Sequence, residues 1–95
     1  MIVRISGLGQ YELDDSSRQR LEELDHGLTS ALHANQEKEF HEHLRAIIDF
    51  VQKQGKELRH DRLVPSDVIV PPEDVTLEEA HRLLTDESLM HPLPA

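Results

Sequence analysis

The chain has no cysteine and no tryptophan, and aromatic residues make up only 3% of its 95 positions. Without thiols there is no disulfide framework, no thiolate metal site and no cysteine nucleophile. With a single tyrosine and no tryptophan there is no aromatic platform on which nucleic-acid bases could stack. The core must be aliphatic, built from Leu, Ile and Val with Phe40 and Phe50. Positive charge is scarce as well: 10 Lys and Arg stand against 19 Asp and Glu, a formal net charge of -9. Neutralising phosphate or anionic lipid takes clustered Lys and Arg, so neither nucleic acid nor a lipid surface is an expected partner. No apolar run approaches the ~20 residues of a membrane span, so direct membrane insertion is not expected either. The start, Met1-Ile2-Val3-Arg4-Ile5, lacks the charged head and apolar stretch of a signal peptide and reads as a strand. These absences point to a cytoplasmic protein. There is no internal repeat and no low-complexity segment, and the length is that of one domain.

The residues that are present organise into short elements. Ile2 to Ser6 is rich in β-branched residues and stops at Gly7-Leu8-Gly9, and Gln10 to Leu13 follows with Tyr11 and Leu13 on one face. Two apolar runs around a glycine-containing turn predict a β-hairpin. Asp14-Asp15-Ser16-Ser17 is a helix-start cluster in which Asp14 or Asp15 can cap the free N–H groups. Leu21, Leu24, Leu28 and Leu32 form one helical stripe, and Phe40, Leu44, Ile47, Ile48 and Val51 form a second. No Pro or Gly lies between the stripes, yet on one straight helix they would face roughly 140° apart. Two antiparallel helices broken near Ala34-Asn35-Gln36 aim both stripes at one core, with Asn35 in the left-handed conformation or capping the second helix. Gly55 is a candidate end of the second helix, followed by a polar connection to Arg62. Pro65 and Pro71 bracket Val68-Ile69-Val70, which predicts a short edge strand. Thr76-Leu77-Glu78-Glu79 is a capping box, opening a third helix that buries Leu77, Ala80, Leu83 and Leu84. The expected order is β-β-α-α-β-α. This is an α+β domain over residues 1–84, in which a small sheet of hairpin and one further strand packs on a helical hairpin. Residues 85–95 are expected to form a loose tail.

Groups that could carry chemistry do not converge. The seven histidines are His26, His33, His41, His43, His60, His81 and His91, and no two have the i,i+4 spacing of a helical zinc pair. Glu22 with His26, Glu37 with His41 and Glu39 with His43 have it, but such pairs are ordinary on a solvated acidic helix. None of the serines has a nucleophile-elbow context, and Ser66-Asp67 after Pro65 reads as a turn. Gly7-Leu8-Gly9 lacks the third glycine, lysine and following helix of a phosphate loop. No catalytic residue, metal ligand or cofactor is assigned, and the chain is not expected to be an enzyme.

Three segments in order resemble a small known family: Met1 to Tyr11 with its glycine turn, Leu63 to Pro72 (L-V-P-S-D with a double proline), and Thr76 to Glu79. With the acidic helical hairpin between them, they are similar to the PspAA domain, the PspA-associated protein of the phage-shock or membrane-stress system. The resemblance runs from Met1 to about Leu84, and the histidines are not part of it. It implies a non-enzymatic accessory or regulatory protein that binds a PspA-type coiled-coil protein. An acidic hairpin can meet basic segments of a helical partner, with charge steering the encounter. The candidate contacts are Glu22, Glu23, Asp25, Glu37, Glu39 and Glu42. The alternative reading is a small metal-binding or metal-sensing protein using His26, His33, His41 or His43 with nearby Glu. Homodimerisation through an open sheet edge or the helical hairpin is compatible with either.

Overall fold

A computed structural model describes residues 1–58 and 65–83. Strands β1 (Ile2–Ile5) and β2 (Gly9–Glu12) form the hairpin. They pair antiparallel, with Val3 opposite Tyr11 and Ile5 opposite Gly9. A single 3-10 turn (Asp15–Ser17) leads into helix α1 (Arg18–His33), and α2 (Glu37–Gln54) runs back beside it. Strands β3 (Lys56–Glu57) and β4 (Val68–Val70) and helix α3 (Leu77–Leu83) follow. The α+β class and the split helical hairpin agree with the sequence.

The sheet carries one strand more than expected, in the order β3-β2-β1-β4. β3 lies inside the segment read as a polar connection. Lys-Glu has little strand character of its own; the pairing arises because α2 ends beside β2. Gly55 permits that approach, since a Cβ there would meet the Val51 carbonyl oxygen at 2.5 Å and the Tyr11 Cβ at 3.0 Å. Its backbone is extended (φ -89). Gly55 ends α2 as expected, with its N–H bonded to the Val51 oxygen at 2.8 Å. The left-handed residue is Asn35 (φ 54), where α1 stops and the chain reverses. Neither Asp14 nor Ser17 makes a side-chain cap bond, so the expected aspartate cap does not form. The Thr76 box does form: its Oγ1 accepts the Glu79 N–H at 3.1 Å, and the Thr76 N–H reaches Glu79 Oε1 at 3.4 Å.

Period-2 alternation sends Val3, Ile5, Tyr11, Val68 and Val70 to the helix side of the sheet, all buried. There they meet Leu21, Leu28 and Leu32 of α1 and Phe40, Leu44, Ile47 and Val51 of α2 in one core. Tyr11 is buried, and its hydroxyl accepts a 3.4 Å hydrogen bond from Gln52 Nε2. α3 contributes Ala80, and the loop before it Val75. His81 Nε2 meets Asn35 Oδ1 at 3.1 Å, which ties α3 to the turn between α1 and α2. Leu84 and the tail at 85–95 lie outside the described residues, as does the Leu83 side chain.

β4 runs parallel to β1, with Val3 opposite Val68 and Ile5 opposite Val70. Two neighbouring residues fasten it. The Asp67 carboxylate accepts the Ile2 N–H at 2.8 Å, and Ser66 Oγ accepts Gln10 Nε2 at 2.8 Å. Gln10 sits opposite Arg4 on the face of the sheet turned away from the helices, so Ser66 comes back over that face. The Ser-Asp pair is thus a latch between the strand-entry loop and the hairpin.

Gly27 of α1 lies against the His43 ring of α2. A Cβ at this position would lie 2.7 Å from His43 Cε1 and Nδ1. Glycine costs an exposed helix interior about 1 kcal/mol relative to alanine, and here it makes room for the imidazole. Gly27→Ala should therefore stabilise the native protein less than helix propensity alone allows, because the His43 ring must swing aside. In a His43→Ala background it should stabilise by about 0.5–1 kcal/mol in urea unfolding. Equal effects in the two backgrounds would show that the imidazole does not fill this notch. Asp67→Ala should cost about 1 kcal/mol in the same experiment, because the Ile2 N–H loses its acceptor; no loss of stability would argue against the latch.

Candidate interaction surface of the helical hairpin

Helical phase decides which carboxylates reach solvent. On α1, Arg18 Nε lies 3.2 Å from Glu22 Oε1 and Arg20 Nη1 lies 3.1 Å from Glu23 Oε2. These exposed pairs are worth little to stability, roughly 0.3–0.5 kcal/mol each, but they neutralise the charge of α1 locally. Asp25 is only 6% exposed, on the core side of α1. It is therefore withdrawn as a contact residue: phase places a carboxylate between Leu21 and Leu28 inside the fold, not on its surface. Glu37 is 3.9 Å from His41 in the first turn of α2.

α2 differs beyond that first turn. Among the described residues, the side chains of Glu39, Glu42 and Asp49 have no ion pair or hydrogen bond, and all three are exposed. They share a stripe with exposed Ala46 and exposed Lys53, and half-buried Phe50 lies beside it. Arg45, on the neighbouring side of α2, is held by Glu73 at 3.0 Å. Of the six acidic candidates, the structure thus gathers two unpaired ones, Glu39 and Glu42, on one helix. It places Glu22 and Glu23 in ion pairs on the other. Asp49 and Ala46 belong to the same face and were missed. The 3-4-3 spacing of positions 39, 42, 46 and 49 was readable, but it shows only once helix phase is applied to polar residues as well as apolar ones.

The described histidines stay dispersed, and His60 and His91 lie outside the described residues. His26 and His33 are exposed, His43 packs against Gly27, and His81 meets Asn35. Among the described residues no group of three or more His, Asp or Glu could hold a metal ion. Ser66 and Asp67 are occupied with the latch. Among the described residues two large apolar side chains are exposed, Leu8 at 47% in the hairpin turn and Ile69 at 58% on β4. No helix among the described residues is long and apolar enough to cross a membrane.

A four-stranded mixed sheet carrying an acidic helical hairpin, with its polar motif spent on chain closure, defines a small α+β domain. The chain belongs to the PspAA family, described as PspA-Associated protein, whose sequence model matches residues 1–92. No curated protein and no solved structure matches it. The family match covers every segment on which the resemblance rested, from the Met1–Tyr11 hairpin to the Thr76 box.

Exchanging the α2 carboxylates should barely affect folding. Glu42→Gln with Asp49→Asn should leave the melting temperature within about 2 °C of the native value, because neither side chain has a partner to lose. A large drop would place these residues in the packing of the domain.

Proposed function

We propose that this chain is a non-enzymatic accessory protein of the cytoplasm that binds and regulates a PspA-type coiled-coil protein of the membrane-stress, or phage-shock, response. The observation that carries the reading is family membership along residues 1–92, in a family described by its association with PspA. The surface is compatible with it. A net charge of -9, displayed largely on helices and strand edges, repels nucleic acid and anionic lipid and attracts basic protein segments. Binding through charge steering on a preformed domain needs no catalytic group, and Ser66 and Asp67 are engaged in structure.

The test is a titration of the full chain against the PspA protein of the same genome, followed by light scattering or calorimetry. A complex should form at low salt. Its association rate should fall steeply as ionic strength rises past about 0.15 M, where the Debye length shrinks to about 8 Å. Absence of a complex at low salt, with both proteins folded, would overturn direct binding.

A further inference from the structure

We draw no further inference here: the strongest candidate, the outer face of the sheet where exposed Ile69 of β4 stands opposite exposed Arg4 of β1, carries nothing because Ser66 already comes over that face on its bond to Gln10 and nothing in the structure shows what covers the rest.

Discussion

The parallel pairing of β1 with β4 closes this domain. Ile2 and Asp67 are 65 positions apart, yet the carboxylate of one holds the backbone N–H of the other. Without that pairing, β1 and β2 are an isolated hairpin, which is marginal in water, and the helical hairpin has a smaller sheet to cover. With it, Val68 and Val70 complete the buried face and the chain is led to Val75 and Ala80, which add to the same core. The Ser-Asp dipeptide and its flanking prolines are best understood here as closure chemistry. The prolines end the strand, and the serine and aspartate fasten its entry to both strands of the hairpin.

Local signals in the sequence reached the helices and the hairpin well. The phase break between the Leu21 and Phe40 stripes is a statement about a single core, and the reversal at Asn35 satisfies it. The Thr76 box is local hydrogen bonding, readable wherever its residues stand. Long-range features were less legible. Nothing in Lys56-Glu57 marks a strand, because its pairing depends on where α2 ends relative to β2. The parallel sense of β4 follows from the path of the whole chain. The aspartate cap failed because a 3-10 turn intervenes and carries the chain into α1 by backbone bonds, Ser17 N–H to the Asp14 oxygen at 2.9 Å among them.

The acidic surface divides along the same line. Composition showed an excess of carboxylates, and helical spacing put them on α1 and α2. The distribution of partners came only from side-chain placement. α1 carries arginines three and four residues from its glutamates and pairs them, whereas Glu39, Glu42 and Asp49 of α2 make no ion pair although Lys38 and Lys53 stand on the same helix. Asp25 shows the limit of reading charge as exposure, since its position in the helix outweighs its polarity.

Native-state hydrogen exchange tests most directly whether closure by β4 holds the fold as one unit. The Ser6 amide, bonded to the Val70 oxygen, and the Asp67 amide, bonded to the Ile2 oxygen, report on β4. The account predicts that they exchange only through global unfolding, with the same free energy and denaturant dependence as the amides of Leu44 and Ile47 in α2. Exchange of Ser6 and Asp67 through a lower-energy opening, while α1 and α2 remain protected, would contradict it.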